Sequence, residues 1–176
     1  PTDDELARVA RYTVNVGLKG PGGSLEAARR MMQAGSAIVR AGGAGVFVDG
    51  SLLAHGGGDW LKMTDDGSPD AVSFAYAGIV RTRQQIYTVG LQAMGHPDLL
   101  MNSADVDEDA DTIIVILRYM CSGVREIDVG HVLADEQGRW FQVIARTTDE
   151  FDADIVLHNP GGRLKIVNFK DVVEGN

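Results

Sequence analysis

Two strings of this sequence, eighty residues apart, match without a gap. Between Gly43–Met63 and Gly123–Val143, the pairs Gly43/Gly123, Gly50/Gly130, Leu53/Leu133, Ala54/Ala134, Gly58/Gly138 and Trp60/Trp140 are identical. Upstream the echo continues after a five-residue slip, with Tyr12-Thr13-Val14 answering Tyr87-Thr88-Val89. Repeated glycine and tryptophan positions report shared backbone and packing needs, so the expectation is one copied supersecondary unit, spanning 12–80 and 86–158 within a single domain, 1–176. Each unit reads as strand, helix, then two or three strands. Joined, they give an α+β domain in which two main helices cover one face of a mostly antiparallel sheet with pseudo-two-fold symmetry. A metal-binding family of paired strand–helix–three-strand modules has the same order and stands as the topological alternative, although no ligand pattern accompanies it.

The local signals place the elements. Tyr12, Val14, Val16 and Leu18 alternate at period two and predict a strand. Lys19–Gly23 breaks it, and Ser24, with Glu26 behind it, predicts the N-terminus of a helix from Leu25 to Ala41. Gly42 and Gly43 end that helix. Val46–Val48, the Asp49-Gly50 turn and Leu52-Leu53 predict a hairpin, followed by a flexible tip at Gly56–Gly58 and a polar loop from Asp65 to Asp70. Ala71–Val80 and Ile86–Leu91 read as antiparallel strands joined by Arg81–Gln85, and Leu99–Met101 as a short apolar segment. Thr112–Cys121 is rich in β-branched residues that favour a strand. The repeat aligns it with the first helix, and Asp105 with Glu108 resembles a capping box, so a buried helix is expected. Further strands fall at Glu126–Leu133, Trp140–Arg146, Ile155–Leu157 and Leu164–Phe169, with a turn at Asn159–Gly162 and a frayed tail from Lys170.

At 176 residues, one domain buries roughly 70% of the surface of its unfolded chain and needs no staple. Cys121, the single cysteine, lies in an apolar run and is expected as a buried thiol in a reducing, cytoplasmic setting. Sixteen Lys and Arg against twenty-five Asp and Glu give a net charge of −9, which disfavours nucleic acid and anionic lipid as partners. No apolar run reaches the roughly 20 residues of a membrane span.

Several strings invite a chemical reading and fail a residue test. Gly17–Ser24 has the spacing of a phosphate-binding loop, but Gly23 stands where the lysine belongs. The run Asp105, Asp107, Asp109 and Asp111 has the alternating oxygens of a calcium loop, but Ala110 replaces its glycine and Ile116 its glutamate. His55, His96, His131 and His158 show no metal-ligand spacing, and no serine sits in a nucleophile elbow. No cofactor or metal is expected. The remaining ligand-binding candidates are Tyr87, His96 and Asp98, in the distinctive Tyr87–Leu91 and Gly95–Asp98 strings, together with Trp60 and Trp140, which read first as core aromatics.

These residues carry a family resemblance. The run Ala41-Gly42-Gly43-Ala44-Gly45-Val46, then Trp60, Tyr87–Leu91, Gly95–Asp98 and Asn159-Pro160-Gly161-Gly162-Arg163 resembles the bacterial domain of unknown function numbered forty-two sixty-one, and a neighbouring uncharacterised family shares part of the pattern. The resemblance implies a fold and assigns no chemistry. On sequence alone the leading expectation is a non-enzymatic interaction module that binds a protein or a copy of itself. A small-ligand binder or enzyme with its site in the seam between the halves is the alternative.

Overall fold

The computed structural model describes residues 1–108, 110–123, 125–135 and 137–174. Its elements run α1 (Asp3–Val9), α2 (Leu25–Arg40), β1 (Gly45–Val48), β2 (Leu53–Gly56), α3 (Gly57–Asp66), α4 (Pro69–Tyr76), β3 (Gly78–Arg81), β4 (Gln85–Val89), β5 (Asp98–Asn102), α5 (Asp111–Cys121), β6 (Val132–Ala134), β7 (Trp140–Thr147), β8 (Arg163–Asn168) and α6 (Phe169–Glu174). Hairpin β1–β2 stands as its own two-stranded sheet. The other six strands form a sheet ordered β3-β4-β5-β8-β7-β6, antiparallel except at β5–β8. The fold is thus α+β and mostly antiparallel.

Caps explain the helix that sequence placed best. Ser24 Oγ accepts the Ala27 amide at 3.1 Å. At the other end Gly42, with φ of 113°, donates to Val39 O at 3.0 Å while Gly43 donates to Ile38 O at 3.0 Å, a left-handed stop that satisfies two orphan carbonyls. One face of α2 buries Ala28, Met32, Gly35 and Ser36. Against it lies Trp60 of α3, fully buried, whose indole N–H donates to Met32 O at 3.1 Å. Tyr76 of α4 donates its hydroxyl to Ala28 O at 3.1 Å. Behind these helices Ile86, Leu99, Met101, Phe141, Val143, Leu164 and Ile166 form the covered face of the sheet, packed in one core with Ile113, Ile116, Leu117 and Met120 of α5.

Several expectations are corrected. Gly56–Gly58 is not a flexible tip: Gly57 opens α3, because the helix is what brings Trp60 into the core. Ala71–Val80 is not one strand. Ser68 caps the Ala71 amide at 3.1 Å and Pro69 takes the first helical position, so a helix runs to Tyr76 before β3 begins. Val72, Ala75 and Tyr76 then recur at helical spacing and are buried. Helix α5 is present, but it starts at Asp111 behind Ala110 (φ of 60°) with no side-chain cap, and Ser103–Asp105 forms a separate 3₁₀ turn; Asp109 lies outside the described residues. From Glu126 to Leu133 only the last two residues enter a strand, β6. Ile155–Leu157 is a turn, held by the Ile155 amide on Asp152 O and the His158 amide on Ile155 O, each at 2.9 Å. The tail from Lys170 continues α6 to Glu174, and Gly175 and Asn176 lie outside the described residues. Tyr12–Leu18 is exposed and pairs with no described strand.

The expected symmetry of two halves is not what the topology shows. Leu53-Ala54 and Leu133-Ala134 both occupy strands, but the first pair closes an isolated hairpin and the second edges the six-stranded sheet. Downstream the two strings part, since Trp60 sits in α3 and Trp140 in β7. Four helices longer than seven residues replace the two expected.

Candidate functional site

Three of the five sequence candidates meet at one end of the six-stranded sheet. Tyr87 comes from β4, Asp98 opens β5, and His96 precedes it in the turn that Gly95 makes possible: with φ of 84°, a Cβ at Gly95 would overlap the Gly23 carbonyl oxygen. The Asn159–Arg163 string arrives beside them at the start of β8, which pairs in parallel with β5.

Asp98 is the hub, with only 1% exposed. Its Oδ1 accepts the Thr88 hydroxyl at 2.9 Å and the Leu91 amide at 3.4 Å, and its Oδ2 accepts Asn159 Nδ2 at 2.7 Å. Burial disfavours the carboxylate more than these donors favour it, and the group is pushed up to about 6. Asn159 spends its remaining atoms on the same knot: Nδ2 also donates to His96 O at 2.9 Å, and Oδ1 accepts the Gly161 amide at 2.9 Å. The Asn159 amide in turn donates to Asp149 Oδ2 at 2.6 Å.

Tyr87 faces a buried cation. The Arg163 guanidinium carbon lies 4.7 Å from the Tyr87 ring centroid and 5.3 Å from that of Phe151. Its Nη2 pairs with Asp149 Oδ1 at 3.0 Å, and both side chains are only 1% exposed. Nη1 stands 3.4 Å from Glu150 Oε2, but without hydrogen-bond geometry, and Nε has no hydrogen-bond partner either. The aromatic rings therefore carry part of the compensation that a buried guanidinium requires.

Over this knot opens a cleft of about 210 Å³. Gly23, Pro97, Met120 and Ile127 supply apolar or backbone wall, and His96, Glu126, Arg146 and Asn159 supply polar groups. His96 is half-buried, and burial holds its imidazole below the usual histidine range while the Glu126 charge pulls the other way. Among the described residues its ring makes no hydrogen bond, whereas the rings of His55, His131 and His158 are engaged by Ala75 O, the Asp128 amide and Phe151 O respectively. Arg146 reaches Asp128 at 3.2 Å across an exposed pair and keeps further donors free.

No protein-family model matches the chain, nor does any curated protein or solved structure.

The tryptophans stand elsewhere. Trp60 is enclosed in the core against Tyr76 and His55, and Trp140 is 58% exposed on β7. Neither lines the cleft. Ser24, the hydroxyl of the phosphate-loop-like string, is spent capping α2. Among the described residues no three His, Cys, Asp or Glu side chains gather as a metal site, and no helix is long and apolar enough to cross a membrane. Cys121 is buried, and burial pushes its thiol up to about 12, too high for a nucleophile. Sequence reasoning missed Asn159, Arg163, Asp149, Glu126 and Arg146. Asn159 had a signal, because Asn-Pro-Gly favours the side-chain-to-backbone turn that the Gly161 amide completes; Arg163 closes the same resemblance string without its charge pointing to a site, and the other three have none.

Proposed function

We propose that this chain binds a compact carboxylate in the cleft beside His96, and that it does so as a binding protein. The observation that carries the reading is the His96 ring, the histidine left without a hydrogen bond among the described residues, placed in a concave site with Arg146. Two nitrogen donors of this kind suit a carboxylate, and Pro97, Met120 and Ile127 suit a small apolar body behind it. The volume falls below the roughly 300–1,000 Å³ of drug-sized sites, which keeps the ligand small. Asp98 lies under the cleft, 1% exposed and held by three donors, so it shapes His96 and Asn159 and leaves the proton chemistry of a bound molecule alone. Family membership belongs to the same proposal: three of the strings that carry the resemblance to the forty-two sixty-one family, Tyr87–Leu91, Gly95–Asp98 and Asn159–Arg163, build this sheet end.

The test follows the histidine ring resonances by NMR while acetate, benzoate, succinate and the matching amines are titrated to millimolar concentration. His96 alone should shift, with the acids and not the amines, and Arg146→Ala should weaken the response about tenfold. Because His96 titrates below the usual range and a bound anion favours its charged form, affinity should rise as pH falls from 8 to 6. An unmoved His96 ring, or preference for amines, defeats the proposal.

A further inference from the structure

Residues 8–23 are unlike the rest of this acidic chain. They hold Arg8, Arg11 and Lys19 and no carboxylate. Both ends of the stretch are tied to the body: α1 is held by Arg8 Nη2 on Gly42 O at 2.6 Å and by Glu5 Oε1, which accepts the Gly58 amide at 2.9 Å, while the Gly23 amide donates to Ala93 O at 3.0 Å. Between these ties no hydrogen bond among the described residues holds the chain to the body, although Gly20 lies against Met31 and Gly22 against Ala93. From Thr13 to Gly22 no backbone hydrogen bond is made to any described residue. Yet the sequence there has strand periodicity, and its apolar members are all exposed, Tyr12 (68%) and Val14 (72%) more than any other large apolar side chain among the described residues and Val16 and Leu18 at 51% and 47%. Alternating β-formers with an unsatisfied ladder on both sides are what an edge-pairing strand requires.

Two strands of the large sheet have a free edge, β3 and β6. Charge separates them. Next to β3 lie Arg81 and Arg83, and no carboxylate occurs from Ala71 to Pro97, so a basic donor is repelled. Around β6, residues 125–139 hold four carboxylates against Arg125 and Arg139, an acidic excess even though Asp135 pairs with Arg139 and Asp128 with Arg146. The same edge exposes apolar surface in Val129, Val132, Trp140 and Ile144, each at least 41% accessible. In the register Val132 opposes Gln142 and Ala134 opposes Trp140, on the side away from the buried Phe141.

We propose that Tyr12–Leu18 of one copy adds as a strand to the free edge of β6 in a second copy of this chain, and that the exchange is reciprocal, giving a two-fold dimer. The donor's apolar side chains then cover Val132 and Trp140, and its flanking Arg11 and Lys19 meet the acidic stretch of the partner. A second copy is the occupant because each molecule carries one donor and one matching acceptor, and reciprocity joins two such pairs in a single closed contact. The proposal is independent of the cleft.

Sedimentation velocity from micromolar to millimolar concentration, with hydrogen exchange and tryptophan emission on the same samples, tests it. A monomer–dimer equilibrium is expected, weakening about tenfold between 50 and 500 mM salt. The amides of 13–19 and 132–134 should gain protection together as dimer forms. Emission should shift to the blue on association, a change reporting Trp140, since Trp60 is already enclosed. The double variant Val14→Asp and Val16→Asp should remain monomeric with the melting temperature of dilute wild type, because both side chains lie in solvent in the monomer. A chain that stays monomeric at millimolar concentration overturns the proposal, whether 13–19 exchanges freely or is protected within one molecule. So does a dimer that survives the double variant, or one whose protection falls on β1 or β3.

Discussion

Replacing Asp98 by asparagine decides which of two opposed forces governs the sheet end. Three donors, from Thr88, Leu91 and Asn159, favour the ionised carboxylate, and near-complete burial favours the protonated acid. The structure gives burial the larger effect, lifting the group from 3.8 to about 6. Below pH 4 the carboxyl is protonated folded and unfolded alike. Between about pH 4 and pH 6 the unfolded chain releases a proton that the folded chain keeps, so the contribution of Asp98 to stability is lost as pH rises through its folded value. That displacement corresponds to about 3 kcal/mol. The Thr88 hydroxyl makes the protonated form feasible, since it can reverse and accept from Asp98 while keeping the Leu99 amide, now at 2.8 Å. Asparagine does not titrate, and its own cost is constant with pH. Urea unfolding of both proteins from pH 3.5 to 7.5 should therefore show wild type losing about 3 kcal/mol relative to Asp98→Asn across that range, mostly between pH 4 and 6. Either of two results would refute the reasoning: a flat difference, which would show the three donors balancing desolvation, or a wild type that gains as pH rises, which would show them outweighing it.

Removing the buried cation alone, by Arg163→Met, leaves Asp149 enclosed without its partner and should cost about 3–5 kcal/mol in urea unfolding at pH 7; adding Asp149→Asn should restore more than half, and a double variant no better than the single would argue against the ion pair as the cause. Gly90→Ala should prevent folding or cost several kcal/mol by calorimetry, because φ is 100° and the new Cβ meets the Tyr76 carbonyl oxygen, whereas Gly130→Ala, at φ of 90° in open space, should cost about 1–2 kcal/mol. Cys121, at 2% exposure, should resist a thiol reagent in the native protein and react at once in urea; rapid native labelling would show that α5 opens locally.

What was legible in the sequence was what the backbone decides locally. Ser24, Glu26 and the Gly42-Gly43 stop mark α2 because caps act within a few residues, and the Asp49-Gly50 turn marks the β1–β2 hairpin for the same reason. Ser68-Pro69-Asp70 was equally local, an N-cap followed by proline, and its helix went unread because the apolar Ala71–Val80 run outweighed it. The site was legible only where its residues cluster along the chain, as Tyr87, His96 and Asp98 do. The burial of Arg163 was invisible: a buried arginine runs against composition, and the Asp149 that accounts for it lies fourteen residues away in an irregular segment. The Tyr12–Leu18 alternation shows a different limit, since periodicity reports a capacity to pair and says nothing of where the partner is.

The two tryptophans show why matching strings need not fold alike. Trp60 can lie flat against α2 because position 35 is glycine; a Cβ there would stand 3.0 Å from the indole nitrogen. In the eighty-residue register the equivalent of Gly35 is Val115, on α5. Val115 carries a branched side chain where Gly35 leaves room for an indole, and the segment around Trp140 forms no helix like α3. It instead continues the large sheet as β6 and β7, with Trp140 turned to solvent. Gly35→Val should expel Trp60, with a red shift in its emission and a loss of about 3–5 kcal/mol, the range for losing a buried aromatic; an unshifted spectrum would show that the helix spacing, and not the glycine, sets the fate of the indole.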